Sequence, residues 1–452
     1  MIGLRKDFNF CYAILEEMNS TQVITGIDIG TDTCTTLIAG FDPQLHKLRV
    51  LGVSAVPSRG VKKSQIIDLE QVLGALTDSL DAAERMAGIE VKSAYVSVSG
   101  AHINSMNSKG VVAVSAPDQE IAESDVTRVI EAARAISLPS DRELIHIIPK
   151  HFTVDSQEGI KDPIGMTGVR LETEAHIITG LSTTLRNIEK CVLDLGVQIN
   201  GFVFAGLASS EVVLTETEKE LGVVCIDIGA GTSAVCVFVD GALSFSTTIP
   251  VGARHITQDI ALGCKVSLDS AEKIKLFLSS HTEEDLSPNP GESKAEFAKR
   301  KRQHDQVSLS ELGILDTQEV ISRKATIERI MVPRIKEIML LLGEQLEKKQ
   351  LFPLVPAGIV ITGGGANTVM MADIAKHTLQ LPARVGLPKQ IQGLTSDINH
   401  PSYSTAVGLI EYGLKQADGQ QISTSSFGSI LGKLKLTALP KKFLEIFKSI
   451  LP

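Results

Sequence analysis

The sequence lacks the features typical of exported, membrane-spanning and nucleic-acid-binding proteins. None of its six cysteines lies in a CxxC pair, and no apolar run reaches the length of about 18 residues that a membrane span needs. Acidic residues outnumber basic ones by 53 to 44, so no basic excess is available to neutralise the phosphates of a nucleic acid. Residues 1–20 contain three carboxylates where a signal peptide would need an apolar core. We expect reduced, buried thiols and a chain that is neither exported nor membrane-spanning.

A short segment near the N-terminus returns in the middle of the chain. Residues 27–33 read IDIGTDT, and residues 226–232 read IDIGAGT. Each copy follows apolar residues, passes through Gly and Thr, and continues into a second apolar run, a pattern that predicts a strand, a tight turn and a strand. The repetition predicts two related halves, and 452 residues suffice for two hydrophobic cores.

Apolar residues at helical spacing lie between the predicted strands. They predict a helix over residues 69–87 with Asp68 as its N-cap, and further helices over 126–136 and 327–348. Pro333 is expected to kink the last of these helices. Strands that alternate with helices predict mostly parallel sheets.

The two repeated turns carry the groups that a magnesium-bound triphosphate requires. Glycine lets the backbone approach a phosphate, threonine adds a hydroxyl donor, and an aspartate at each strand end can hold hydrated Mg²⁺. One such turn alone would equally fit an ordinary β-hairpin, and the second copy favours a phosphate site. The segment VITGGGAN at 360–367 adds a strand that runs into a triple-glycine turn, whose backbone could lie against a base or a phosphate. The candidate ATP-binding residues are Gly30, Thr31, Asp32, Thr33, Gly229, Ala230, Gly231, Thr232, Gly363, Gly364, Gly365 and Asn367, and the candidate Mg²⁺ ligands, through water, are Asp28 and Asp227.

These motifs resemble those of the actin, sugar-kinase and heat-shock-chaperone superfamily, and longer segments are similar to one family within it. The segment DPIGMTGVRLE at 162–172, the segment at 204–232 and the region 57–104 all resemble the FtsA family of bacterial division proteins. The resemblance covers nearly the whole chain from about Ile24. It implies an α/β, actin-like fold, duplicated and ribonuclease-H-like, with two lobes around an ATP cleft, an inserted subdomain called 1C and a C-terminal amphipathic helix.

The resemblance and the composition together predict an order of domains. A polar stretch at 281–306 is interpreted as a solvated loop, and the segment after Leu414 is rich in Gln, Ser, Thr and Gly, which is typical of a tether. The predicted parts are an N-terminal extension at 1–20, lobe I at 21–100 and 175–220 with a closing segment at 370–412, the 1C insertion at 101–174, lobe II at 221–369 with a smaller subdomain at about 245–325, a flexible linker at 415–427, and a membrane-targeting helix at 428–452.

The family resemblance also implies a function. It predicts a protein that binds ATP, polymerises on the cytoplasmic face of the cell membrane at the septum, tethers the tubulin-like partner FtsZ, and helps to recruit later division proteins through 1C. By position, Glu337 would contact the ribose, with Lys336 beside it as a further candidate ATP-binding residue, and Arg334 would contact the C-terminal tail of FtsZ. Slow or absent hydrolysis is expected, because residues 34–36 lack the lysine of many actins and residues 207–210 lack the Gln or Glu of hydrolytic relatives.

The C-terminal segment is basic although the chain as a whole is acidic. From Gly428 to the end there are five Lys and one Glu. A final helix packed on the protein's own core is one interpretation, and the tether before it favours an anionic membrane surface instead. A single such anchor would bind reversibly, and polymers would bind firmly. The candidate membrane-binding residues are Phe443, Leu444, Ile446, Phe447, Lys448, Ile450 and Leu451.

Two other functions fit parts of this pattern. A metabolite kinase of the same superfamily would need a catalytic aspartate between the lobes, and no acidic residue can be assigned that role from the sequence. An actin-like adaptor of type IV pilus assembly would share the fold, but such adaptors usually lack the amphipathic tail and the DPIGMTGVRLE segment.

Overall fold

A computed structural model describes residues 22–42, 47–115, 120–280, 292–314, 320–389, 391 and 398–417. The predicted extension at 1–20 and the predicted membrane-targeting helix, with all its candidate membrane-binding residues, lie outside these ranges. Of the predicted linker only residues 415–417 are described, and they form the end of a helix rather than a tether.

The elements up to residue 221 belong to the first lobe and to the insertion. They are β1 (Gln22–Ile29), β2 (Thr33–Asp42), β3 (Lys47–Pro57), β4 (Val61–Lys62), β5 (Gln65–Ile66), α1 (Leu69–Ala87), β6 (Ser93–Val98), β7 (Asn104–Ala113), α2 (Glu123–Arg134), β8 (Arg142–Val154), β9 (Gln157–Ile160), β10 (Arg170–Leu181), α3 (Ser182–Asp194), β11 (Gln198–Phe204), α4 (Ala205–Val213) and α5 (Glu216–Leu221).

The remaining elements form the second lobe and one final helix. They are β12 (Val223–Ile228), β13 (Ser233–Val239), β14 (Ala242–Ile249), α6 (Arg254–Cys264), α7 (Leu268–Ser280), α8 (Lys294–Asp305), β15 (Gln306–Ser308), β16 (Val320–Ser322), α9 (Arg323–Thr326), the π-helical segment Ile327–Met331, α10 (Val332–Lys348), β17 (Ile359–Thr362), α11 (Met371–Leu379), β18 (Ala383–Val385) and α12 (Ser404–Ala417).

Two five-stranded sheets share one topology. Their strand orders are β3-β2-β1-β6-β11 and β14-β13-β12-β17-β18, so each repeated motif ends the central strand of its sheet. In both sheets the first three strands pair antiparallel, and the third, fourth and fifth strands pair in parallel. The first sheet contributes to one hydrophobic core, whereas the second sheet contributes alternate residues to that core and to a second core of its own. The duplicated actin-like fold is therefore confirmed, whereas the expectation of mostly parallel sheets was wrong, because each repeat begins with a hairpin.

The insertion between β6 and α3 is a separate layer. Its antiparallel sheet has the order β7-β10-β8-β9, and α2 packs on it over a third hydrophobic core. The insertion contacts both lobes: His146 accepts a hydrogen bond from the backbone N–H of Phe204 at 2.9 Å, and the Ser105 hydroxyl donates to the Ser246 carbonyl at 2.6 Å. The insertion therefore joins the two lobes outside the cleft.

The first predicted helix is confirmed together with its cap. The Asp68 carboxylate accepts from the Gln71 N–H at 3.1 Å, and α1 begins directly after it. The helix predicted at 126–136 begins three residues earlier, at Glu123, where the carboxylate of Asp125 accepts from the Ala122 N–H at 3.1 Å and so ties the start of α2.

Pro333 is the second residue of α10, and the five residues before it are π-helical, so the predicted helix changes its hydrogen-bond pattern directly before the proline. Two other predictions about the chain needed correction. The described part of the polar stretch 281–306 contains α8, a helix without a buried residue, whose start is fixed by a reciprocal cap between Ser293 and Glu296. In the segment predicted to close lobe I, α11 and β18 belong to the second lobe, and α12 alone packs on the first sheet.

The cysteines within the described ranges agree with the expectation of buried thiols. Cys34, Cys191, Cys225, Cys236 and Cys264 are free and buried. None of the helices in the described ranges has the length and apolar composition needed to cross a bilayer.

Candidate functional site

A cavity of about 260 Å³ lies between the two lobes, where the repeated turns face each other. It is bounded by the first turn, the second turn and the triple-glycine turn that follows β17. The predicted residues that line it are Asp28, Gly30, Thr31, Asp32, Thr33, Asp227, Gly229, Ala230, Thr232, Gly363, Gly364 and Gly365. The fold thus brings together residues from three distant parts of the sequence.

The two turns have the same backbone geometry. The Gly30 N–H donates to the Thr33 carbonyl at 3.0 Å, and the Gly229 N–H donates to the Thr232 carbonyl at 2.9 Å. The second turn is fixed further, because its carbonyl groups accept from the first N–H groups of the segment leading into α6. Both turns therefore present their hydroxyl groups and peptide edges from rigid supports.

Gly231 does not line the cavity, because it packs between the turns. A Cβ added there would lie 2.6 Å from Thr31 Oγ1 and 3.0 Å from Lys63 Cα. Glycine at this position lets the two lobes approach so closely.

Two aspartates lie at the floor of the cavity, one from each repeat. Asp28 accepts a hydrogen bond from the Ser97 hydroxyl at 2.5 Å, and Asp227 accepts from the Thr405 hydroxyl at 2.8 Å. Burial raises the pKa of Asp28 to about 6 against the lowering effect of Ser97, and the charge of Asp227 adds to the rise. Burial likewise raises the pKa of Asp227, although hydrogen bonds from Thr405 and Ser209 oppose it. Among the described residues, no cationic side chain offsets the charge of either carboxylate.

The donor set fits a hydrated cation better than a directly bound one. In the part of the chain that the structure describes, no three His, Cys, Asp or Glu side chains converge as a direct ligand set. Two buried carboxylates beside the proposed phosphate-binding turns instead match Mg²⁺, because this ion retains several waters and is held by one or two protein carboxylates.

The triple-glycine turn lies directly against the second aspartate. Gly363 has a φ of 83°, and a Cβ there would be 2.2 Å from Asp227 Oδ1. The Gly365 N–H donates to the Ile228 carbonyl at 2.8 Å. Backbone at this wall can approach a flat ligand closely because it carries no side chains. Asn367 is outside the lining, and its amide lies 2.9 Å from the ring of His400, which does line the cavity.

The polar wall supplied by the second lobe differs from the prediction. Glu272 and Lys275 of α7 line the cavity, whereas Lys336 and Glu337 of α10 do not. The Lys275 ammonium donates to the Glu272 carboxylate at 2.8 Å and to the Thr257 hydroxyl at 3.1 Å. Sequence reasoning missed this pair, because Glu and Lys three residues apart also occur on any solvated helix face.

Arg334 lies outside the cavity in an ion cluster. Its guanidinium donates twice to Asp259, at 2.6 and 3.0 Å, and once to Glu337 at 2.5 Å. The side chain is 26% exposed. Its pKa is raised above the usual value, first by the hydrogen bonds to Asp259. The arginine is therefore held in one orientation on the surface of the second lobe.

A larger cavity of about 490 Å³ lies elsewhere, between the insertion, both lobes and α12. Glu211, which follows the Leu207–Ser210 segment, lines this cavity and pairs with Lys219 and Lys415. The carboxylate nearest in sequence to the hydrolytic position is thus engaged away from the phosphate turns.

Comparison with known proteins agrees with these features. A family profile described as the SHS2 domain inserted in FtsA matches residues 100–179, and one described as cell division protein FtsA matches residues 224–408. The chain is 35% identical over 412 residues to the cell division protein FtsA of Pseudomonas aeruginosa, covering 91% of this chain and 94% of that protein. It is 37% identical over 394 residues to FtsA of Borreliella burgdorferi, covering 87% and 91%.

A solved structure supports the fold independently. A chain of the PilM–PilN type IV pilus biogenesis complex superposes with a TM-score of 0.59 at 14% identity, covering 86% of this chain and 98% of that one. At that identity the likeness shows a shared architecture alone. The sequence matches are more specific: FtsA of Escherichia coli K12 is 33% identical over 429 residues, covering 91% of this chain and 96% of that protein. The chain, with its paired acidic-glycine turns and its inserted SHS2 domain, belongs to the FtsA family of actin-like cell division proteins.

Proposed function

We propose that this chain binds ATP with Mg²⁺, polymerises on the cytoplasmic face of the cell membrane at the division septum, and tethers FtsZ there. The observation that carries the nucleotide part is the convergence of two turns from different lobes on one cavity. Membership of the FtsA family supports the part in division.

The arrangement suggests how the parts of the nucleotide would be held. The turn backbones and threonine hydroxyls would take the phosphates, and the triple-glycine turn would take the base. Mg²⁺ would supply positive charge between the phosphates and the carboxylates of Asp28 and Asp227. For the ribose we propose Glu272 and Lys275 in place of Glu337, because both line the cavity. The Glu272 carboxylate can accept a hydrogen bond from a ribose hydroxyl, and the Lys275 ammonium can donate one.

Weak or absent hydrolysis remains our proposal. The Ser210 hydroxyl donates to the Leu207 carbonyl of its own helix at 2.8 Å, and the Ser209 hydroxyl is shared between the Ala205 carbonyl, at 2.9 Å, and Asp227. Glu211 is bound by two lysines at the other cavity. A general base that could activate a water is worth about 10²- to 10⁴-fold in rate. We expect ATP to be bound and turned over slowly.

Arg334 remains the proposed contact for the C-terminal tail of FtsZ. The geometry supports it in one respect, since Asp259 and Glu337 fix the guanidinium and so lower the entropy that binding would cost. Three of the five N–H donors that a guanidinium carries are used by these two residues. The remaining donors would face a partner.

Fluorescence anisotropy with a labelled FtsZ tail peptide tests this contact. We expect Arg334→Glu to weaken binding by about tenfold or more, as truncation of an interface arginine often does. Arg329→Glu, on the exposed part of the neighbouring π-helical segment, is the matched charge control and should have little effect. Asp259→Asn keeps the arginine while loosening its support, so it should bind better than Arg334→Glu. Equal affinity of Arg334→Glu and the intact chain would remove the contact.

The membrane part of the proposal rests on the sequence after Gly428, outside the described residues. The segment combines a stripe of apolar residues with flanking lysines, which suits the interface of an anionic bilayer. Sedimentation with anionic liposomes should recover the full chain, and deletion of residues 428–452 should abolish recovery. Recovery should increase with ATP if polymers present many tails at once. Equal recovery with and without nucleotide would argue against this coupling.

The insertion is the proposed surface for later division proteins. It has its own core and lies outside the cleft, so a partner could bind it without blocking nucleotide. Its contacts with both lobes would let such a partner sense their relative position.

A further inference from the structure

The short hairpin formed by β4 and β5 has an unusual tip. Its two central residues, Lys63 and Ser64, have φ angles of 50° and 58°. Turns of this kind usually carry Gly, Asn or Asp there, since a side chain with a Cβ is disfavoured in the left-handed region. The surrounding structure must hold this conformation, and such residues cluster at ligand-binding and switch regions.

The contacts of the tip explain how it is held. The Ser64 N–H donates to Thr31 Oγ1 at 3.0 Å, and the Ser64 hydroxyl lies 2.9 Å from Thr232 Oγ1. Thr31 belongs to the turn of the first lobe and Thr232 to the turn of the second. Ser64 itself lines the cavity. One serine is thus hydrogen-bonded to both proposed phosphate turns.

The base of the hairpin is rigid. The Gly60 carbonyl accepts from the N–H groups of Ile67 and Asp68, at 2.8 and 3.2 Å, which closes the loop directly before α1. Gly60 has a φ of 73°, and a Cβ there would lie 2.4 Å from the Asp68 carbonyl oxygen. The tip therefore cannot shift without disturbing the start of α1.

The hydroxyl groups gathered at the tip suit a phosphoryl group. Thr31 Oγ1 accepts from Ser64, so its own proton remains available to donate. Of the Ser64 and Thr232 hydroxyls, one donates to the other and the second keeps its proton. A terminal phosphoryl group offers three acceptor oxygens, and hydrogen bonds to a charged acceptor are stronger than those between neutral groups. A phosphoryl group at this point would therefore replace the hydrogen bond between two neutral hydroxyls by charge-assisted hydrogen bonds to its own oxygens.

We propose that Ser64 is a specificity-determining residue that distinguishes a nucleoside triphosphate from a diphosphate by donating to the terminal phosphoryl group. The inference rests on the proposed nucleotide site. Its geometric basis is that the tip lies where the turns of the two lobes meet, whereas Glu272, Lys275 and the triple-glycine turn belong to the second lobe alone. A diphosphate can satisfy those groups without bridging to Ser64.

Isothermal titration calorimetry with Mg²⁺ and either ADP or the β,γ-imido analogue of ATP tests the proposal. Ser64→Ala removes the hydroxyl alone, and we expect it to weaken binding of the triphosphate analogue by about 10- to 100-fold, the range for a lost hydrogen bond to a charged group. Binding of ADP should change by less than about twofold, because the diphosphate does not reach this hydroxyl.

Two further variants test whether a change in affinity comes from the Ser64 hydroxyl itself rather than from altered folding or from the loss of any surface hydroxyl. Ser64→Gly also lacks the hydroxyl but favours the left-handed conformation, so a chain that folds at least as well should show the same selective loss. Ser156→Ala removes a hydroxyl from the exposed two-residue turn between β8 and β9, and it should leave both affinities unchanged.

The outcomes separate this inference from the proposed function. A selective loss of the triphosphate analogue in both Ser64 variants supports the inference. An equal loss for ADP and the analogue, or no loss for either, overturns it while the nucleotide site stands. If the unaltered chain binds neither nucleotide, the proposed function fails and the inference fails with it.

Discussion

Arg254 at the start of α6 donates to the carboxylate of Asp32 across the cleft, with Nη1 and Oδ1 3.0 Å apart. Asp32 belongs to the first turn, and the Arg254 N–H donates to the Ala230 carbonyl of the second turn, so this ion pair joins the two lobes at the edge of the cavity. The side chains are 45% and 50% exposed. A pair so exposed stabilises the fold by less than about 1 kcal/mol. Its larger effect is to neutralise a carboxylate beside the phosphate-binding turns.

Arg254→Ala should therefore weaken Mg·ATP binding with little loss of stability. An unpaired Asp32 would repel the phosphates by roughly 1 kcal/mol, which corresponds to about fivefold in affinity. Calorimetry at low salt should show the loss, and high salt should reduce it by screening. Arg254→Lys keeps the charge and should bind nearly as the unaltered chain does. Identical affinities for Arg254→Ala and the unaltered chain at low salt would contradict the argument.

The Asp28 carboxylate should lower the stability of the nucleotide-free protein while it favours the binding of Mg·ATP. Its pKa of about 6 in the folded protein lies above its ordinary value of 3.8, so the folded state takes up a proton between these values. The associated stability is fully present below pH 3.8 and is lost as pH rises through 6. At neutral pH without metal, the charged Asp28 therefore destabilises the protein.

Asp28→Asn should raise the free energy of unfolding of the nucleotide-free protein at pH 8 by about 1–2 kcal/mol, a value reduced from the full shift because the side chain is partly exposed to the cavity. The same variant should lose at least about tenfold in Mg·ATP affinity, because one of two carboxylates that hold the hydrated ion is gone. Urea denaturation at pH 8 and pH 5 and calorimetry at pH 8 measure both effects. A stability gain equal at the two pH values would show that titration of Asp28 is not its cause.

The sequence predicts the repeated half of the site well and the rest poorly. Asp28 and Asp227 lie near the ends of buried central strands. The similar seven-residue motifs around them adopt the same turn, which depends only on local sequence. Asp68 as a cap is likewise a local property, since the residue and its partner Gln71 are three positions apart. Such features follow from short-range chemistry alone.

The features that the sequence does not reveal depend on distant contacts. Lys63 and Ser64 carry no turn signal, and their left-handed backbone exists because Thr31 and Thr232 bind the tip. Glu272 lines the cavity only because α7 packs beside α6. Pro333 fits a helix start once the preceding residues adopt a π-helical turn, which no periodicity indicates.

Two buried histidines link the insertion to the lobes and should make the fold sensitive to acid. His146 Nε2 accepts from the Phe204 N–H, and His176 lies 2.9 Å from the Ser246 hydroxyl and 2.7 Å from the Asn107 side-chain oxygen. Burial lowers the pKa of each to about 3, and for His176 the charge of Lys150 contributes as well. Each histidine is neutral when folded and protonates on unfolding below its ordinary value of 6.5.

The direction of this pH effect follows from the difference between the pKa values of the folded and unfolded states. Each histidine contributes stability that is fully present above pH 6.5 and is lost as pH falls toward 3, at roughly 1.4 kcal/mol per pH unit. His146→Gln retains an acceptor for Phe204 and should reduce the slope of unfolding free energy against pH by that amount between pH 6 and 5, as measured by urea denaturation. His377→Gln removes an exposed imidazole from α11 and serves as the control. An unchanged slope in His146→Gln would exclude His146 as a source of acid sensitivity.

Glu211 should matter for stability rather than for nucleotide turnover. Its carboxylate is 14% exposed and pairs with Lys219 of α5, itself 7% exposed, and with Lys415 of α12. Burial alone would raise the pKa of Glu211, but the charges of the two lysines outweigh it and lower the pKa overall. The carboxylate thus compensates two ammonium groups at the larger cavity.

Glu211→Gln should lower the free energy of unfolding by about 1–3 kcal/mol. Lys219 would keep only its pair with the exposed Glu216, and Lys415, which is 31% exposed, would lose its carboxylate partner. Glu220→Gln breaks the exposed pair with Lys161, whose side chains are 73% and 61% exposed, and should cost less than about 0.5 kcal/mol. Affinity for Mg·ATP should be the same in both variants, since neither residue lines the nucleotide cavity. A loss of ATP turnover in Glu211→Gln without a loss of stability would instead indicate that this carboxylate takes part in hydrolysis. In that case α4 would have to rotate when the lobes close, so that Glu211 leaves its two lysines and approaches Asp227.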